Sequence, residues 1–415
     1  MGPAAEAPKL YVDAPELAVK MGDRGLFSGL EPLVYANHAG ISAPSILVRK
    51  AVNTLLADYA KRGAEAYPTW ALQRARLREK LGALVGASRF DVALTQNTSR
   101  AIADVALCFP WQAGDRVILF RGEFPANVTP WQRAAEHSDL EIVMLDAHAY
   151  RTEPSGALEA LRSEVARGAR LVSVSAVQFQ TGFRMPLSAM SEIIKPSGAA
   201  LFVDAVQAVG MVPLDVEAMG IDFLASGSHK WLMGIEGGGF LYARESRARA
   251  LVPRVAGWLS HDNPVDFLFE GPGHLRYDKP IRRCIDFLEG GNVSATAFAA
   301  LEASLDAIVS LGVPAVFEHA QRYHDAIEPR ALELGFTSLR GEDSEVRSGT
   351  LSMLPPHGLD VTALHRELSA LGIACAIPDG HLRLSPHWPN ALDESEQVLL
   401  SLEEASRRAL VPRAG

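Results

Sequence analysis

The chain has 415 residues, with 40 basic and 49 acidic side chains giving a net charge of −9, and no block of like charge stands out. That balance argues against a nucleic-acid or membrane-surface partner, whose footprint would be a basic patch or stripe. Hydrophobic residues make up 48% of a chain longer than one ordinary core, so a large globular domain and a smaller one are expected.

The three cysteines, Cys108, Cys284 and Cys375, lie far apart with no C-x-x-C spacing. Neither a disulfide scaffold nor a zinc site is supported, no metal is expected, and a reducing compartment fits. The N-terminus lacks the basic, apolar, small-residue order of a secretory leader, and each apolar run ends well short of a membrane span. The expectation is a soluble, cytoplasmic protein.

Residues 1–43 read as an irregular arm ending in Tyr35-Ala36-Asn37-His38-Ala39-Gly40, followed by a helix that Pro44 is suited to open. Thr95-Gln96-Asn97-Thr98-Ser99 then precedes an apolar-periodic helix over 101–109. Free amides, hydroxyls and the dipole at a helix start favour an anion, although a plain Ser or Thr cap reads the same way. The apolar runs 116–120, 141–145, 171–175, 201–203 and 223–225 read as buried parallel strands, and 239–242 as a final strand for which an antiparallel direction is open. This is the pattern of a mostly parallel α/β sheet.

Glu123-Phe124-Pro125 follows the first of these strands, and Gln178 lies just beyond the third. Phe124 is either a core residue or an aromatic face for a planar ligand. The Gln178 amide can both donate and accept. Residues 257–283 are rich in Gly, Pro and Asp and read as loops, with Trp258, His261 and Tyr277 as candidates to line a substrate pocket. An alanine-rich helix is expected over 295–311, and strands over 349–354 and 381–385. The division expected is an arm of 1–43, a large domain of 44–305 and a small C-terminal domain of 306–415, with the arm free to pack against the last.

Two strand ends carry the chemistry. Asp204 closes Leu201-Phe202-Val203-Asp204-Ala205-Val206-Gln207-Ala208, and Lys230 sits in Ser226-Gly227-Ser228-His229-Lys230-Trp231 after the run 223–225. Open α/β sheets collect ligands at the carboxyl ends of their strands. A carboxylate and a desolvated amine delivered there suit pyridoxal 5′-phosphate: the lysine forms the Schiff base, and the aspartate keeps the ring nitrogen protonated so that the ring acts as an electron sink. Either residue alone is equally well a helix cap or a chance Ser-x-Lys.

Asp204-Ala205-Val206-Gln207-Ala208, the Ser228-His229-Lys230 triplet and Gly237-Gly238-Gly239-Phe240-Leu241-Tyr242 together resemble the class V aminotransferase family, which includes cysteine desulfurases, kynureninase and isopenicillin epimerase. The resemblance implies fold type I of the pyridoxal phosphate-dependent transferases, a mostly parallel seven-stranded sheet in the large domain, and a smaller C-terminal α/β domain. It implies a phosphate-binding turn at Asn97, Thr98 and Ser99, with Arg100 where relatives often carry Glu. Phe124 takes the place of a ring-stacking residue: desulfurases carry histidines here, whereas kynureninase-like members carry Phe-Pro. Gln178 and Gln207 are implied at the cofactor's phenolic oxygen, and His229 with Ser226 or Ser228 at phosphate or ring. Asn292, in Glu289-Gly290-Gly291-Asn292, is implied by the resemblance to lie in a loop that crosses a homodimer interface to the neighbour's phosphate, although the glycines alone read equally well as a turn. Arg383, in an Arg-x-x-Pro segment, is implied by the resemblance to bind the substrate α-carboxylate, and Asn37 is expected at the substrate as well.

These residues prepare an amino acid for reaction without stating which bond breaks. Lys230 is the expected base at Cα. The leading expectation is an aminotransferase-like enzyme for a small amino acid, and the alternative is a C–S or C–C lyase of cysteine lyase, desulfurase or kynureninase type. An epimerase is a third reading and needs a second base, which no residue supplies from sequence. Cys375 lies too close to Arg383 for a mobile nucleophile loop, so it reads as a buried strand thiol.

Overall fold

The computed structural model describes residues 18–410, so residues 1–17 of the expected arm lie outside the described residues. Twelve strands follow in chain order: β1 (Val34–Tyr35), β2 (Val92–Thr95), β3 (Arg116–Arg121), β4 (Glu141–Asp146), β5 (Ala169–Ser175), β6 (Ala200–Asp204), β7 (Phe223–Gly227), β8 (Gly239–Ala243), β9 (Thr337–Ser338), β10 (Leu351–Leu354), β11 (Ile373–Ala374) and β12 (Leu382–Leu384). Seven of them form one sheet in the order β2-β8-β7-β6-β5-β3-β4. All neighbours pair in parallel except β8, which runs antiparallel to both β2 and β7. The expected mostly parallel seven-stranded sheet is thus present, and strand 239–243 is its antiparallel member.

Parallel strands need both faces covered, and the side-chain alternation supplies that cover. Ile118, Val172, Val174, Leu201, Val203 and Leu224 enter one hydrophobic cluster, while Val117, Leu119, Leu171, Phe202, Phe223 and Ala225 enter the other. Helices flank both faces. Ser45, rather than Pro44, caps the first long helix, Ile46–Arg62, by accepting the Val48 N–H at 3.3 Å. Asn97 caps Thr98–Cys108 by accepting the Arg100 N–H at 2.8 Å, so this helix starts three residues before the apolar periodicity does. The helix Ala295–Leu311 matches its expected span. No single helix among the described residues is long and apolar enough to cross a membrane.

The C-terminal part holds a second, antiparallel sheet in the order β12-β10-β9, and β11 pairs in parallel with β1 near the N-terminus. Two hydroxyls tie the second sheet to the loop after β5: Ser348 donates to the Gly182 carbonyl and Ser352 to the Gln180 carbonyl, each at 2.6 Å. The loop after β6 packs as tightly against the lysine segment. Gly210 has φ +95°, and a Cβ there would lie 2.5 Å from the Trp231 carbonyl oxygen. Only glycine meets both demands without strain. Gly210→Ala is therefore expected to cost about 1–3 kcal/mol of stability, read by denaturant titration; an unchanged midpoint would contradict this contact.

Candidate active site

The carboxyl ends of β3, β5, β6 and β7 converge on one edge of the large sheet. Asp204 ends β6 at 2% exposure and accepts the Val206 N–H at 3.0 Å, a local Asx turn that fixes the carboxylate. Burial first of all, with Glu123 adding to it and the Val206 N–H and Lys230 opposing it, brings its pKa up to about 7. Lys230 follows β7 and is partly buried. Desolvation lowers its amine to about 8, Asp204 opposes that shift, and Arg383 adds to it. Its Nζ lies 5.6 Å from the centre of the Phe124 ring. Phe124 is 47% exposed, which removes the buried-core reading of this side chain.

An aromatic and guanidinium chain extends from there. The Phe124 ring meets Phe179 edge-on at 5.3 Å, and the Phe179 carbonyl accepts from Arg383 Nη1 at 2.9 Å. Arg383 stands on β12 at 6% exposure, where burial lowers its guanidinium to about 10. Its Nε is buried without a partner, as are Asn37 Oδ1 and Thr98 Oγ1. Buried polar atoms are rarely left unpaired, so each such atom calls for a partner the chain itself does not provide. A hydroxyl donor at a helix start, a guanidinium donor and a lysine amine match the phosphate, carboxylate and aldehyde chemistry of pyridoxal phosphate with an amino acid. Beside Thr98, a Cβ on Gly227 would come within 3.3 Å of Thr98 Oγ1 and 3.2 Å of the His229 ring, so this glycine keeps open a cradle between them. Burial and the neighbouring Lys230 keep the His229 imidazole toward its neutral form.

The remaining expected residues occupy varied settings. Ser99 and Asn97 are exposed, and the Asn97 side chain serves as the helix cap. Arg100 pairs with Asp104 at 2.8 Å along the helix face. Ser228 spends its hydroxyl on the Ile235 carbonyl, and Ser226 makes a 3.3 Å bond to the Gly227 carbonyl. Gln207 donates to the Ala39 carbonyl at 3.1 Å and accepts the Trp231 indole N–H at 2.8 Å, which leaves one amide hydrogen uncommitted. Gln178 donates to Glu123 Oε1 at 3.1 Å. Asn292 is exposed and borders a cleft of about 480 Å³ lined also by Tyr59, Tyr67, Arg74 and Arg282. Trp258 is 41% and Tyr277 89% exposed, while His261 Nδ1 bonds the Lys279 carbonyl at 2.7 Å.

Two contributions were missed by sequence reasoning. The first is a strap: Ser42 donates its N–H to the His229 carbonyl at 2.7 Å and its hydroxyl to the Lys230 carbonyl at 2.6 Å, and His38 Nδ1 contacts Ser42 Oγ at 2.8 Å. Its only sequence signal was the polar Asn37-His38 pair in an otherwise small-residue stretch. The second is Glu123, which had no assigned role although a charged residue just past a buried strand invites one.

The aminotransferase class-V family model matches residues 69–388. An uncharacterized aminotransferase of Bacillus subtilis, YcbU, is 28% identical over 323 residues, covering 78% of this chain and 81% of that protein. A probable cysteine desulfurase of Methanothermobacter thermautotrophicus is 27% identical over 396 residues, covering 89% of this chain and 94% of its own length. Among solved structures, the apo cysteine desulfurase of Thermococcus onnurineus NA1 superposes with a TM-score of 0.79 at 21% identity, covering 94% of this chain and 96% of that one, which establishes a shared fold.

A carboxyl whose pKa rises from 3.8 to about 7 on folding binds a proton more tightly in the native state, so the cofactor-free protein loses stability as pH rises between those values. Asp204→Asn is expected to stabilise the cofactor-free protein at pH 8 by about 4 kcal/mol, with the gain vanishing near pH 4. Urea titrations at both pH values check this, and a gain that does not depend on pH would contradict it.

Proposed function

Because this chain belongs to the class-V aminotransferase family, we propose that it is a pyridoxal phosphate enzyme that eliminates the β-sulfur of a small amino acid, a C–S lyase. The named relatives include a probable cysteine desulfurase, which supports sulfur amino acid chemistry. The observation that carries the choice is the state of the three thiols. Cys108 and Cys375 are buried, and Cys284 donates to Asp286. Burial raises the Cys108 thiol pKa, and burial first of all brings those of Cys284 and Cys375 to about 12. Sulfur transfer through the enzyme needs an accessible thiolate. With none at hand, the sulfur leaves the substrate directly, and cysteine with one water gives sulfide, ammonia and pyruvate.

When bound, the cofactor supplies an electron sink for the pair left at Cα. The chain's part is to hold and to move protons. Asp204 is placed to keep the pyridine nitrogen protonated, since a cation beside a buried carboxyl favours its ionised form. Phe124 offers a face to the ring, and Gln178 and Gln207 have donors left for the phenolic oxygen. Thr98, Ser99 and His229 line the phosphate end, with Asn97 capping the helix there and Ser226, held only by a 3.3 Å bond to the Gly227 carbonyl, the serine free to turn toward it. Arg383, with Asn37 bridged to Ser385 two residues further along, clamps the substrate carboxylate and so sets the Cα–H bond in the path of the Lys230 amine, which takes the proton. An amine brought down to about 8 is partly free of its own proton near neutrality, as a base must be. Asn292 and the exposed Phe269, Leu275 and Tyr277 support a homodimer in which this region meets the neighbouring protomer.

Transamination is the second reading, supported by the YcbU relative. The yellow holoenzyme given L-cysteine without a 2-oxo acid separates the two. Catalytic release of sulfide, ammonia and pyruvate supports elimination, whereas one equivalent of keto acid followed by arrest supports transamination. Arg383→Ala is expected to raise the half-saturation concentration by about 10–100-fold, the worth of a charge-assisted hydrogen bond, with a smaller change in kcat; an unaltered value would place the carboxylate clamp elsewhere. Cys375→Ala is expected to leave sulfide release intact, and its loss would instead point to an enzyme-borne persulfide.

A further inference from the structure

We infer that Glu123 is a positioning residue, held as a neutral carboxylic acid, that fixes the Gln178 amide at the edge of the Asp204–Lys230 site; the inference rests on the reading that this site takes pyridoxal phosphate. Glu123 lies two residues beyond β3 at 9% exposure, and no basic side chain forms a salt bridge with it among the described residues. Its two oxygens are used unequally. Oε1 accepts both the Ser175 N–H at 2.7 Å and the Gln178 Nε2 at 3.1 Å, while Oε2 makes a short contact with the Ser175 hydroxyl. Asn127 is a further neutral donor beside this carboxyl. A hydroxyl can donate or accept, so the Ser175 hydroxyl at Oε2 can turn to accept the acid's proton, while Oε1 takes its two N–H groups as a carbonyl does.

The sheet register explains why a second anion is unwelcome. Ser175 pairs with Asp204 across β5 and β6, so Glu123, bonded to Ser175, stands next to the Asp204 carboxyl. The ionisable groups facing it are Asp204 and, beyond that, Lys230, whereas Ser175, Gln178 and Asn127 are neutral. One lysine cannot compensate two buried carboxylates, and one of the two is expected to keep its proton. Burial drives Glu123 upward, in the same direction, and its presence also raises Asp204. With Glu123 neutral, the Asp204 charge alone addresses the cofactor ring. The Gln178 amide is meanwhile pinned by one hydrogen, leaving its carbonyl oxygen and second hydrogen for the site.

Glu123→Gln copies the neutral acid atom for atom, with a carbonyl toward the two N–H donors and an amide hydrogen toward the Ser175 hydroxyl. The infrared difference spectrum of wild type minus Glu123→Gln at neutral pH is expected to show a protonated-carboxyl stretch, and the pH midpoint of the bound cofactor's visible band is expected not to move. Glu123→Ala is expected to weaken cofactor binding about tenfold, one net hydrogen bond, and Glu123→Ala/Gln178→Ala to bind no worse than the weaker single variant, because one acts through the other. A carboxylate stretch, or a midpoint displaced by about one unit or more in Glu123→Gln, overturns the neutral state. Additive losses in the double variant overturn the positioning role. If Glu123→Ala does not fold, Gln178→Ala in the Glu123→Gln background replaces it, with the same affinity loss expected in both backgrounds and a rescued affinity overturning the role. The infrared band can also be read on protein that binds no cofactor, so failure of the cofactor reading is seen separately.

Discussion

The structure turns on the burial of an amine and a carboxyl at neighbouring strand ends. Taking Lys230 and Asp204 out of water costs several kcal/mol per ion and is offset only where geometry and hydrogen bonds are good. The fold supplies those conditions through the sheet itself. β6 and β7 run side by side in parallel, so their carboxyl ends open at the same edge, and the Val206 amide turns back to hold the aspartate. Gly210 lets the following turn press against Trp231, and the Ser42 strap fixes the His229 and Lys230 carbonyls from the other side. The lysine backbone is thus held from two directions while its amine stays free to react.

The second sheet completes the site rather than merely covering it. Arg383 reaches it from β12, and the Ser348 and Ser352 hydroxyls bind the loop that carries Gln178 and Phe179. Unpaired atoms on Arg383, Thr98 and Asn37 are a standing cost in a closed protein. They are tolerable where a ligand repays them, and they fall on residues from three separate parts of the chain that a planar, doubly anionic ligand would bridge. Relatives called aminotransferase and cysteine desulfurase share this family, so the scaffold prepares an amino acid and the surroundings choose the bond. In this chain two buried thiols, Cys108 and Cys375, and a third, Cys284, bonded to Asp286 are the feature that bears on that choice.

Much of this was legible in the sequence because the central strands are buried on both faces and therefore appear as unbroken apolar runs, with Asp204 and Gln178 just where the runs stop. β2 escaped notice because it has four residues and pairs only with the antiparallel β8, and β1, β9 and β11 have two residues each. Arg383 was visible through a motif, but its contact with Phe179 depends on packing between residues 204 positions apart. Glu123 and the strap were hidden for a similar reason: a buried acid and a small serine have no periodicity, and their meaning lies in partners such as Ser175 and the Lys230 carbonyl. The exposure of Phe124 could not be read from its apolar character, which suited a core residue equally well.

The central claim is that Lys230 is the amine that carries the cofactor. Borohydride reduction of the holoenzyme followed by proteolysis and mass spectrometry tests it directly. The account requires a reduced pyridoxyl phosphate adduct on the peptide containing Ser228-His229-Lys230-Trp231; an adduct on another lysine, or none on protein that has retained the cofactor, would contradict it.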